Sequence, residues 1–111
     1  WFKKIKNVSF SEFELAWTNF GKIARIIEHH WSGELKLHPT AKPLPVINWA
    51  LLILSNIKTV LDVFGGSGTT LISCEKLNKQ CFMMELDPAY CDVIIERWEN
   101  LTGQKAELIN G

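Results

Sequence analysis

Nine residues, Asp62-Val63-Phe64-Gly65-Gly66-Ser67-Gly68-Thr69-Thr70, set an acid beside three glycines and three hydroxyl side chains. Glycines let a backbone approach a ligand closely. The free N–H groups at a helix start then face an anionic group. The stretch is neither Gly-x-Gly-x-x-Gly nor a Gly-Lys-Thr phosphate loop. With few anions to cradle and an acid at the strand end, a ligand carrying both signs of charge suits it. A plain tight turn, with Ser67 capping the next helix, explains the same residues without a ligand. Glu85 follows Asp62 by 23 positions and ends a second apolar run. An acid about 20 residues beyond a glycine loop, at the tip of the neighbouring strand, hydrogen-bonds ribose hydroxyls in open α/β sheets. Together the loop and the acid point to a nucleoside-containing cofactor.

The elements that must hold these groups are readable around them. Thr59–Phe64 and Gln80–Glu85 are short apolar runs of the kind buried in a parallel sheet. Between them Thr69–Leu77 reads as a helix with Leu71, Cys74 and Leu77 inward. Pro88 to Thr102 is a helix carrying Tyr90, Ile94, Trp98 and Leu101 on one stripe, stopped by Gly103. Lys105–Ile109 is expected as a third strand. Upstream, Pro43 and Pro45 open a helix that runs to about Leu54. Phe13–Thr18 and Ala24–Ile27 are expected as a hairpin across Asn19–Lys22, and residues 31–43 as a loop. Strand and helix alternate, so the fold class is α/β with right-handed crossovers.

Three segments in order then resemble the cofactor motifs of DNA adenine-N6 and cytosine-N4 methyltransferases of the β group. They are His38-Pro39-Thr40-Ala41-Lys42-Pro43, the Asp62–Thr70 loop, and Glu85-Leu86-Asp87-Pro88-Ala89-Tyr90. The resemblance covers roughly residues 10–111; Val63 stands where that family usually has proline. It implies a Rossmann-like S-adenosylmethionine-dependent methyltransferase fold and S-adenosylmethionine as cofactor. By the same resemblance, Thr40 and Lys42, with the backbone of Gly65, Gly66, Ser67, Gly68 and Thr69, hold the methionine carboxylate. Asp62 faces the ammonium group and Glu85 the ribose, while Phe64 and Leu86 pack near the adenosine or methionine chain. A loop hydrogen bond for Thr40 and a solvated charge for Lys42 are the plainer alternative.

Methyl transfer to an exocyclic amine also needs groups that orient the amine and stack a flipped base. The family uses an (Asp/Asn/Ser)-Pro-Pro-(Tyr/Phe/Trp) tetrapeptide, and no Pro-Pro occurs here. Asp87-Pro88-Ala89-Tyr90 is no substitute, because an Asp cap followed by Pro at the first helical position accounts for it. The fold is therefore expected to be incomplete, lacking the catalytic-motif strand, and no residue is assigned a catalytic role. The chain opens on Trp1-Phe2-Lys3-Lys4 and is expected to be a C-terminal piece of a DNA methyltransferase, inactive alone. Residues 1–37 would be the end of a target-recognition region with a sheet hairpin, and residues 38–111 the S-adenosylmethionine-binding part. Adenine is favoured as target because that branch is the commoner one. The other readings are a non-catalytic subunit of a split methyltransferase and a dinucleotide-using α/β enzyme.

Partners follow from the same resemblance: double-stranded DNA through the full-length parent, and no membrane. Without a neighbouring catalytic strand, Thr59–Phe64 would expose an apolar edge that invites self-association or strand exchange. Phe20–Trp31 could lie near DNA, although Trp17, Trp31, Trp49 and Trp98 read more naturally as core. The net charge is zero, but residues 1–48 carry seven basic against four acidic groups and residues 49–111 five against eight. A basic half beside an acidic half is compatible with phosphates on one side and a cationic cofactor on the other. Cys74, Cys81 and Cys91 lack zinc-site spacing and read as buried thiols of a cytoplasmic protein, with no metal implied.

Overall fold

A computed structural model describes residues 2–3, 13–21, 23–29 and 41–109, which fall in two units, Trp1–Leu35 and Lys36–Gly111. In the first unit, β1 (Phe2–Lys3) pairs in parallel with β2 (Glu28–His29), Phe2 opposite Glu28 and Lys3 opposite His29. The expected hairpin is not formed: Phe13 makes a single bridge, and neither 14–18 nor 23–27 is strand. Leu15, Trp17 and Ile26 are exposed, so no covered face sets a register. Thr18 Oγ1 takes the Phe20 N–H at 3.1 Å, a local turn within the expected connection. Trp17, expected in a core, is 88% exposed.

The second unit begins with α1 (Leu44–Ile53), capped by Pro43 in an extended conformation, with Pro45 in the first turn. A proline there loses no hydrogen bond, since the first N–H groups of a helix have no internal acceptor. Then β3 (Thr59–Asp62), α2 (Thr69–Lys76) and β4 (Gln80–Met83) form a parallel β–α–β unit, and α3 (Pro88–Thr102) follows. Thr59 lies opposite Gln80 and Asp62 opposite Met83. The ladder continues beyond the strand ends, with Met84 N–H on the Asp62 carbonyl and Gly65 N–H on the Met84 carbonyl, both at 2.9 Å. That extension draws the glycine loop alongside Glu85.

The two strands are covered on one face only. Val60, Asp62, Cys81 and Met83 are half-buried, whereas Leu61 and its partner Phe82 are 67% and 52% exposed. The expectation of strands buried on both faces is therefore corrected. Among the described elements α2 packs on β4, and α1 and α3 pack on α2, so the opposite face lacks a layer. In α2 the core positions are Ile72, Ser73 and Cys74; Leu71 and Leu77, expected inward, are half-buried.

The helix ends follow local chemistry. Asn78 sits at φ 52° after α2, with Asn78 N–H on the Glu75 carbonyl and Lys79 N–H on that of Cys74, a Schellman stop with Asn in the left-handed position. Asp87 caps α3 by accepting the Ala89 N–H at 2.9 Å, with Pro88 first in the helix, and Gly103 ends it at φ 71°. The expected third strand is absent, since 104–109 is coil. Glu99 accepts both the Lys105 ammonium at 2.6 Å and the Ala106 N–H at 3.0 Å, removing a donor that a strand would give its neighbour. No helix among the described residues is long and apolar enough to cross a membrane.

Candidate functional site

Beyond the carboxyl ends of β3 and β4 lies a cleft of about 460 Å³. That is within the roughly 300–1,000 Å³ usual for small-molecule sites. One wall is the loop Asp62–Ser67 with Thr69 and Thr70, another is Glu85 with Leu86, and Ala41, Lys42 and Ile47 complete the lining. The structure thus gathers nine of the residues singled out in the sequence: Lys42, Asp62, Phe64, Gly65, Gly66, Ser67, Thr69, Glu85 and Leu86. Gly68 lies off the cleft, and Thr40 is outside the described residues. Ile47 was not foreseen; its place three residues into a proline-started helix right after the Lys42 segment was the available signal.

The loop is built by close packing from behind. A Cβ on Gly65 would sit 2.8 Å from Met83 Cγ and Sδ. Gly68 holds φ +80°, and a Cβ there would sit 3.0 Å from Ile94 Cγ1. Here glycine is required by backbone conformation and by the approach of α3. Gly68, not Ser67, is the residue that caps α2, and no side chain caps it. Ser67 is buried at 4% exposure and bonds elsewhere. The expected Ser67 cap is therefore not formed, although the loop does close a tight turn.

Hydrogen bonds sort the loop's donors. Gly65 N–H belongs to the sheet, and Gly68 N–H closes a turn on the Gly65 carbonyl at 2.8 Å. Phe64 N–H goes to Asp62 Oδ1 at 3.0 Å, and Gly66 N–H to Glu85 Oε2 at 2.6 Å. Glu85 Oε1 takes the N–H groups of Leu86 at 2.8 Å and Asp87 at 2.9 Å. This carboxylate is locked by three backbone donors, an arrangement that orients it with little entropy left to lose. At the start of α2 the N–H groups of Thr69 and Thr70 find no backbone acceptor among the described residues. They are the open donors of a helix N-terminus. Phe64 and Leu86 are 88% and 96% exposed, apolar surfaces beside the cleft.

One residue escaped the sequence reading. Arg97, on α3, donates from one guanidinium nitrogen to the Ser67 carbonyl and to Ser67 Oγ. Burial holds its guanidinium below its ordinary pKa. Its position 30 residues from Ser67 gives no local signal.

A parallel β–α–β unit with a glycine loop after the first strand and an acid after the second is an arrangement of the Rossmann-like kind. Comparison with known proteins adds the lineage. The sequence model of the DNA methylase family matches residues 4–96, and the chain belongs to that family. The type II methyltransferase M.HpaI of Haemophilus parainfluenzae is 33% identical over 73 residues, 65% of this chain and 23% of that protein. The crystal structure of the M1.HpyAVI–SAM complex superposes with a TM-score of 0.56 at 28% identity, covering 74% of this chain and 41% of that one. The chain thus spans less than a quarter of M.HpaI and less than half of M1.HpyAVI. The α/β class and the incomplete Rossmann-like architecture expected from the sequence agree with this likeness.

Proposed function

We propose that these residues are the S-adenosylmethionine-binding part of a DNA amino-methyltransferase acting on adenine N6 or cytosine N4, with adenine favoured. The observation that carries this reading is the Glu85 carboxylate, fixed by three N–H groups at the rim of a cleft whose other rim is the glycine loop. The Glu85 carboxylate, oriented by the Gly66 N–H and lining the cleft, takes a ribose hydroxyl. Asp62 spends Oδ1 on its own loop and offers Oδ2 to an ammonium group. Thr69 and Thr70 N–H groups, with Lys42 and Thr40, hold the carboxylate, while Phe64 and Leu86 cover the apolar parts. When bound, S-adenosylmethionine supplies the electrophilic methyl group.

Residues 38–111 carry this site, and residues 1–37 belong to the DNA-recognition side. Duplex DNA is the partner of the whole enzyme, in a cytoplasmic restriction-modification setting like that which the likeness to a type II methyltransferase supports. Because Pro-Pro is absent, these 111 residues alone are inactive in transfer. The same absence favours a second reading, a non-catalytic cofactor-binding subunit completed by another chain. Restored transfer on mixing with a separate catalytic chain distinguishes it.

The test is calorimetric titration of S-adenosylmethionine into the chain, with Glu85→Ala alongside. Saturable binding, weakened about tenfold or more by the substitution, is expected from loss of hydrogen bonds to a charged group. A folded chain that binds no S-adenosylmethionine but binds a nicotinamide dinucleotide would sink the proposal.

A further inference from the structure

Arg97 contacts the glycine loop across 30 positions of sequence, and among the described residues it makes no ion pair. Ser67 precedes the Gly68 cap, whose carbonyl accepts the first helical bond from Ile72 N–H at 3.1 Å, so the Ser67 carbonyl lies outside the helix and accepts from Arg97. The hydroxyl of the same serine lies 3.3 Å from the same nitrogen. Both partners are neutral, and among the described residues no carboxylate pairs with Arg97. A half-buried guanidinium satisfied only by neutral oxygens has lost hydration without gaining an opposite charge. Ser67 is itself part of the cleft lining. The missing negative charge is therefore best supplied from the cleft, where the open N–H groups of Thr69 and Thr70 favour an anion as well.

We infer that Arg97 is a positioning residue that, through Ser67, sets the glycine turn and adds positive potential behind it, so that the cleft selects adenosyl sulfur compounds, sulfonium or thioether, that bear a carboxylate. The inference rests on the S-adenosylmethionine reading of the cleft. Ser67 transmits both effects, because it is buried and its carbonyl and hydroxyl both accept from Arg97.

Two ligands separate the effect from mere folding. S-adenosylhomocysteine and 5′-methylthioadenosine share the adenosine and the thioether, but the second lacks the amino-acid carboxylate. Both are titrated into the whole 111-residue chain, unsubstituted and as Arg97→Lys, Arg97→Gln and Arg97→Met. Partial unfolding lowers both affinities together and leaves their ratio unchanged, so the ratio is the readout. The two neutral variants are expected to lower the preference for S-adenosylhomocysteine about tenfold, the scale of one nearby charge at an intermediate dielectric. Arg97→Lys, which keeps the charge, should retain most of the preference. An equal loss for both ligands, or an unchanged ratio in either neutral variant, overturns the role of Arg97 and leaves the cofactor reading intact. Failure of the unsubstituted chain to bind either ligand overturns both.

Discussion

The Glu85 carboxylate reaches the Gly66 N–H at 2.6 Å, tying the acid after β4 to the glycine turn after β3 across 19 residues of sequence. The bond is made possible by the ladder beneath it, where Gly65 N–H meets the Met84 carbonyl. The two walls of the cleft are therefore one hydrogen-bonded unit, and the Glu85 carboxylate is preset rather than free to swing.

Replacing Glu85 by glutamine keeps the shape and removes one acceptor. With the amide oxygen on Leu86 and Asp87, an NH₂ group is left facing the Gly66 N–H. The expected cost is about 1–3 kcal/mol, the scale of a part-buried donor left unsatisfied. Urea unfolding of the two chains measures it; superimposable transitions would show that the loop tie contributes nothing.

Gly68→Ala should be more damaging than Gly103→Ala, although both glycines have positive φ. At Gly68 the added Cβ meets Ile94 Cγ1 at 3.0 Å, whereas at Gly103 it meets open space. The backbone penalty alone is about 1 kcal/mol at each site. A further 1–3 kcal/mol or so is expected at Gly68 from overpacking against α3. Equal melting temperatures for the two variants would contradict the packing account.

Alkaline pH should destabilise the second unit through Cys81. Burial, then the neighbouring Cys74 sulfur, push its thiol from an ordinary 9.0 up to about 12. Between those values the folded chain holds a proton that the unfolded chain has released. Stability therefore falls as pH rises through that window. Urea midpoints at successive pH values should drop above pH 9, and Cys81→Ala should flatten the decline; an unchanged slope in that variant would assign it elsewhere.

Self-association through the open sheet is expected at high concentration. Among the described residues β3 pairs only with β4, and Leu61 and Phe82 lie side by side and exposed on one face. An apolar face and edge of this kind recruit another chain. Light scattering should report dimers or larger species, reduced by Leu61→Lys. A monomer at every concentration tested would refute it.

Several features were legible because they depend on few neighbouring residues. Asp87-Pro88 and Gly103 mark both ends of α3 through capping chemistry alone. Pro43 and Pro45 mark the start of α1 in the same way. Hydrophobic pattern was a poorer guide wherever a strand needed a partner. Phe13–Thr18 and Lys105–Ile109 have suitable residues, but a strand exists only where another edge accepts its hydrogen bonds, and in the second segment Glu99 takes the Ala106 donor instead.

What the sequence by itself determined was the order of the β–α–β unit and the identity of the cleft's loop and acid, because glycine content, strand-end acids and caps act over a few residues. Tertiary structure alone decided which loop N–H groups stay open, that Arg97 reaches the Ser67 carbonyl, and that among the described residues one sheet face is bare. Those outcomes depend on the distance between groups far apart in the chain, and only packing sets that distance.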